Sequence, residues 1–111
     1  MESKLEIQEI ILSKEIIKQV LRSDFKYYYT TPYLNECLFL HYKGFNKIAN
    51  LEEFTGLKVL YIEGNGINTI SGLNTCNQLR SLYLQENLIS KIENLEDLTD
   101  LNNLNLNDNM I

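Results

Sequence analysis

A 22-residue period runs through residues 57–111, and few folds can accommodate it. Leu57-Lys58-Val59-Leu60-Tyr61-Ile62-Glu63-Gly64-Asn65-Gly66-Ile67 aligns with Leu79-Arg80-Ser81-Leu82-Tyr83-Leu84-Gln85-Glu86-Asn87-Leu88-Ile89. Both align with Leu101-Asn102-Asn103-Leu104-Asn105-Leu106-Asn107-Asp108-Asn109-Met110-Ile111. Allowing Leu/Ile exchange, each stretch reads L-x-x-L-x-L-x-x-N-x-I. Within a stretch, Leu60 and Ile62 alternate with Tyr61 and Glu63, the period of a strand with one buried face. One such unit cannot bury its apolar side alone, so neighbours must stack. Asn65, Asn87 and Asn109 fall where the chain leaves the strand. Three asparagines in register predict a structural ladder, in which each amide bonds backbone groups that the turn leaves unpaired.

Stepping back 22 residues gives a degenerate first unit. Its pattern positions are Asn35, Leu38, Leu40, Phe45, Ile48 and Leu51, all apolar except Asn35. Lys43 stands at the ladder position, as suits an atypical terminal unit. The back halves also repeat, as Ile48-x-x-Leu51-x-x-Phe54, Ile70-x-x-Leu73-x-x-Cys76 and Ile92-x-x-Leu95-x-x-Leu98. Spacing of three predicts 3-10 or short helical arcs. The units are then 35–56, 57–78, 79–100 and a truncated 101–111. The expected architecture is an α/β solenoid with a parallel sheet on the concave face and the arcs on the convex face.

Residues 1–33 are expected to form an N-terminal helical cap and an aromatic linker. Ser3-x-x-Glu6 reads either as a capping box or as part of a flexible leader. Ser13 is an N-cap candidate, with Glu15 in the first turn and Ile16, Ile17, Val20 and Leu21 on one stripe. That helix either covers the open end of the stack or docks a partner. The aromatic stretch from Phe25 through Tyr27, Tyr28 and Tyr29 to Tyr33 contains the sole proline, Pro32. Its rings are expected to fill the seam between cap and first unit. Base stacking is the other reading, and a net charge of −5 opposes it.

The chain has 111 residues, of which 44% are hydrophobic, which suits one domain. No apolar run approaches the roughly 18 residues of a membrane span, and no signal-peptide core is visible. Two widely separated cysteines make no disulfide framework, which favours a reducing compartment. Cys76 occupies an apolar core position. Cys37 and His41 form at most a metal half-site, too few ligands for zinc. Glu93, Glu96, Asp97 and Asp100 lack calcium-loop spacing. With no nucleophile–base pair, phosphate loop or HExxH, the expectation is no enzyme, no metal and no cofactor.

What remains is a surface. Strand residues pointing away from the core are Cys37, Phe39 and His41; Val59, Tyr61 and Glu63; Ser81, Tyr83 and Gln85; Asn103, Asn105 and Asn107. Phe39, Tyr61 and Tyr83 should form an aromatic stripe across strands roughly 4.8 Å apart. On a rigid sheet, such a stripe is a candidate hot spot for a protein partner. Cross-strand support of the sheet is the plainer role for the same rings.

The repeats resemble the 22-residue, Sds22-like class of leucine-rich repeats. Ser13-Lys14-Glu15, Thr31-Pro32-x-Leu34-Asn35 and Leu38-x-Leu40-His41-Tyr42-Lys43-Gly44-Phe45 resemble the axonemal dynein assembly factor 1 family. So do Ile48-x-Asn50-Leu51-Glu52-Glu53, Thr55-Gly56-Leu57 and Leu84-Gln85-x-Asn87-Leu88-Ile89-x-Lys91-Ile92-Glu93-Asn94-Leu95. The resemblance spans about residues 13–111. It implies a cytoplasmic, cilium- or flagellum-associated factor that preassembles dynein arms. It also implies protein partners such as dynein subunits, chaperones or co-chaperones, with no nucleic acid and no membrane. Other adaptors with this repeat class remain open: a phosphatase regulatory subunit, an axonemal dynein light chain, or a spliceosomal-type protein. Members of the family are longer, so the chain reads as a piece ending in mid-repeat. Its uncapped C-terminal end would then expose Leu104, Leu106 and Ile111 and invite self-association.

Overall fold

In a computed structural model, the structure describes residues 11–24 and 26–111. The capping-box reading at Ser3 and Glu6, and Phe25, lie outside the described residues.

The inward leucines set the sheet. β1 (Cys37–Phe39), β2 (Val59–Tyr61), β3 (Ser81–Tyr83) and β4 (Asn103–Asn105) are three-residue strands. They lie parallel in the order β1-β2-β3-β4. Leu38 pairs with Leu60, Leu60 with Leu82 and Leu82 with Leu104, each one sequence period away. Side chains alternate across a strand, so this register sends every central leucine to one side. Leu38, Leu60 and Leu82 are fully buried there. Leu40, Ile62 and Leu84 continue the same layer, and Leu51, Leu73, Phe54 and Cys76 close it from behind. Burying each such side chain is worth about 1.5–3 kcal/mol.

The ladder asparagines act backwards, onto the preceding unit. Asn65 Oδ1 accepts from the Lys43 and Phe45 amides, both at 3.0 Å, and its Nδ2 donates to the Leu40 and Ile62 carbonyls. Asn87 repeats this on Ile67 N, Ile62 O and Leu84 O. Asn109 repeats it on Ile89 N, Leu84 O and Leu106 O. Lys43 is therefore not a broken rung. It sits in the first unit, where no earlier turn among the described residues asks for an amide.

The expected 3-10 or short helical arcs are instead pairs of successive turns. The Phe54 amide donates to Leu51 O and the Leu57 amide to Phe54 O. Cys76 with Leu73 and Leu79 with Cys76 follow the same spacing, as do Leu98 with Leu95 and Leu101 with Leu98. A 3-10 helix needs i+3 bonds from consecutive residues, and here they come every third residue. Each turn returns an apolar side chain to the core without building a helix. The described 3-10 helix lies elsewhere, at Pro32–Leu34.

α1 (Lys14–Ser23) starts at Ser13, whose Oγ accepts from Ile16 N at 3.2 Å. Glu15 stands in its first turn and Arg22 in its last, both favourable to the helix dipole. Ile17 and Leu21 are buried, and Ile16 and Val20 pack at the rim of the same core. Just before α1, Leu12 is fully buried and Ile11 makes a parallel bridge with Lys47. Asn50 Nδ2 donates to Leu12 O.

Asn35, the one polar residue in the first unit's pattern, is also buried. It exchanges bonds with Tyr29, accepting from its amide and donating to its carbonyl, both at 2.9 Å. The amide thus fastens the incoming aromatic stretch where a leucine would only fill space. Of that stretch, Tyr28 is half-buried, whereas Tyr27, Tyr29 and Tyr33 are exposed. Among the described rings of that stretch, Tyr28 is the one that fills the seam.

Candidate protein-binding face

The face of the sheet opposite the leucines carries the candidate residues in three columns. The first is Cys37, Val59, Ser81 and Asn103; the second Phe39, Tyr61, Tyr83 and Asn105; the third His41, Glu63, Gln85 and Asn107. The register places the first two columns directly. Asn103 and His41 are exposed, and Phe39, Val59, Tyr61, Glu63, Ser81, Tyr83, Gln85 and Asn105 are half-buried. None of them joins the leucine core.

The rings of the central column stack. Phe39 and Tyr61 have centroids 4.7 Å apart and planes 15° apart. Tyr61 and Tyr83 are 4.5 Å apart at 4°. Each ring turns a face to its neighbour, so the column shows solvent mainly ring edges and hydroxyls. Burial pushes the Tyr61 phenol above its ordinary pKa, and neighbouring Tyr83 adds to the shift. The Tyr83 hydroxyl accepts from Asn103 Nδ2 at 3.2 Å, which joins the rings to the asparagine row of β4.

The sequence reading missed four features of this face. Tyr27 leans on Phe39 at 5.6 Å and 54°, extending the aromatic surface beyond β1. Tyr28 supplies the hydroxyl that accepts from the Phe39 amide at 3.3 Å. The aromatic run was the available signal, but nothing in it said which rings reach the sheet. Tyr42 lies over Gly64, where any Cβ would strike its ring, and its hydroxyl donates to Glu86, two units away. That bond raises the Tyr42 pKa.

The fourth feature is electrostatic. Glu63 Oε1 and Gln85 Oε1 are both shielded from solvent and find no donor among the described residues. Leaving a buried acceptor unmade costs about 1–3 kcal/mol, and more for a charged group. The two oxygens lie one unit apart in the same column, beside the Tyr61–Tyr83 pair. At the opposite edge of the sheet, Lys58 already pairs with Glu36 at 3.1 Å.

Cys37 lies beside Tyr27, and burial pushes its thiol pKa up. No three His, Cys, Asp or Glu side chains gather in a metal-binding group among the described residues. No described helix is long and apolar enough to cross a membrane. The face thus carries a stacked aromatic centre with two donor-free oxygens at its flank.

No family model matches the chain. Over 34 residues, 31% of the chain, it is 59% identical to Dynein axonemal assembly factor 1 of Rattus norvegicus and of Homo sapiens. Over 35 residues it is 54% identical to the Dynein axonemal assembly factor 1 homolog of Anopheles gambiae. The similarity spans about 5% of the length of the rat and human proteins and 4% of the mosquito protein. The chain thus bears a local likeness to dynein axonemal assembly factor 1, carried by about a third of its residues.

Proposed function

We propose that the chain is a non-enzymatic protein–protein interaction scaffold that acts in the cytoplasmic preassembly of dynein arms for cilia or flagella. In this reading it is a leucine-rich-repeat solenoid of the Sds22-like class, with residues 1–33 as its N-terminal cap and 34–111 as its repeats. The ring column Phe39–Tyr61–Tyr83 is the observation that carries the scaffold, because it puts aromatic area and hydroxyls outside the core. Tyrosines on a rigid support give contact area at low entropic cost. The local identity to dynein axonemal assembly factor 1 supports the dynein connection. Dynein subunits, chaperones and co-chaperones are the proposed partners.

The test is quantitative capture of axonemal dynein heavy and intermediate chains from ciliated-cell extract. Wild type is compared with the double variant Tyr61→Ala, Tyr83→Ala. Removing two hot-spot rings should weaken capture by at least about tenfold, with the circular dichroism of the variant unchanged. Equal capture by a folded double variant would refute the scaffold face. Capture of phosphatase catalytic subunits in place of dynein chains would refute the assembly role.

A further inference from the structure

We infer that Asn65-Gly66 is a self-modification site gated by the fold: closed, it ties the second unit to the first; opened, it deamidates and does not close again. This is the single Asn-Gly pair in the chain. At such a pair the second amide nitrogen has no neighbouring side chain to shield it. Gly66 N gives up its proton to base and bonds to Asn65 Cγ. The Cγ–Nδ2 bond breaks, and Nδ2 takes up a proton and leaves as ammonia. Water then opens the cyclic imide at either carbonyl, giving aspartate or isoaspartate at position 65. Water is the one co-reactant.

The folded chain blocks each part of that step. Gly66 N donates to Phe45 O at 2.6 Å, so the attacking nitrogen keeps its proton and faces the first unit. Asn65 Oδ1 accepts from the Lys43 and Phe45 amides. Its Nδ2, the leaving group, donates to Leu40 O, Ile62 O and Glu63 O. Leu40, Lys43 and Phe45 all belong to the first unit. Local opening of one unit from the other therefore frees nucleophile and amide together.

The product does not fit the place it came from. Aspartate sets a charged oxygen where Nδ2 was, against the carbonyl oxygens of Leu40, Ile62 and Glu63. Isoaspartate adds a backbone atom to the turn and shifts the register beyond it. A chain modified while open is trapped open, an irreversible step drawing on the unfolded state. The rung so lost joins the two units whose rings Phe39 and Tyr61 stack.

The backbone does not require glycine here. Gly66 is not among the residues at positive φ, and a Cβ would meet Phe45 O at 3.5 Å, an ordinary contact. Leu88 and Met110 hold the same place after Asn87 and Asn109, and both are exposed. The ladder thus admits a side chain at residue 66, and of its three rungs this one alone carries the labile pair.

The full chain is held at neutral pH in native buffer and in urea, and residue 65 is followed by peptide mass spectrometry. Deamidation is expected to be at least about tenfold faster in urea, with Asn87 and Asn109 intact in both. Equal rates in the two buffers would overturn the gate. Gly66→Leu should match the wild-type circular dichroism and keep residue 65 intact in urea. Deamidation of that variant, or of Asn87 and Asn109, at the rate of Asn65 would overturn the assignment to the pair. Asn65→Asp should lower the urea midpoint or leave the chain unfolded. A midpoint equal to that of the wild type would overturn the trap.

Discussion

Asn87 shows how much one side chain can hold. Its oxygen serves Ile67 N, and its amide serves Ile62 O and Leu84 O, at a site only 4% exposed. Asn87→Ala leaves the Ile67 amide without its partner and takes one of two side-chain donors from Ile62 O and from Leu84 O, so it should cost about 1–3 kcal/mol by urea denaturation. Asn109→Ala, at a more open position, should cost less. Those asparagines were legible in the sequence because they recur with the period. Asn35 was not, because its partners Tyr29, Thr31 and Pro32 lie outside the repeat. Cys76 was legible as a core residue. Burial pushes its thiol up to about 11 from an ordinary 9.0. The folded state keeps this proton where the unfolded chain releases it. Stability from Cys76 is therefore present below about pH 9 and lost as pH rises through 9 toward 11. At pH 8, Cys37 should react with iodoacetamide before Cys76, read by mass spectrometry of the folded chain.

At the scale of the element, the back half of each unit is where the sequence was least readable. The i+3 spacing was correct, yet it is shared by helical arcs and by chained turns, and only the bonding tells them apart. A second periodic feature went unseen. Asn50, Gly72 and Asn94, one period apart, all adopt positive φ, at 62°, 73° and 60°. Asn and Gly are the residues that tolerate this region, so the signal was present as a residue-type match rather than an identity. Asn94 Nδ2 donates to Ile70 O at 2.7 Å. At Gly72, a Cβ would lie 2.9 Å from Ile48 O, the equivalent carbonyl. Gly72→Ala should thus cost about 1–3 kcal/mol. Gly72→Asn should cost less than Gly72→Ala, because its amide can donate to that carbonyl as Asn94 does. Thermal unfolding of the pair measures the difference.

Across the whole molecule, one period organises both sides of the sheet. The offset that pairs Leu60 with Leu82 also pairs Tyr61 with Tyr83, so a shift of one residue would exchange core and surface. The columns of the open face were legible for this reason. The wiring between them was not, since Tyr27, Tyr42 and the sealed oxygens of Glu63 and Gln85 depend on three-dimensional neighbours. In residues 101–111 the leucine layer thins: Leu104 and Leu106 are half-buried, and Met110 and Ile111 are exposed. In the proposed function, the stacked tyrosines of the open face are what join fold to partner. The measurement that reaches them most directly is solution NMR of the chain with ring-labelled tyrosine and a soluble paramagnetic agent. A strong ring-to-ring Overhauser effect between Tyr61 and Tyr83, with both rings broadened by the agent, is the expected result. Absence of that effect, or rings as protected as Leu60 and Leu82, would contradict it.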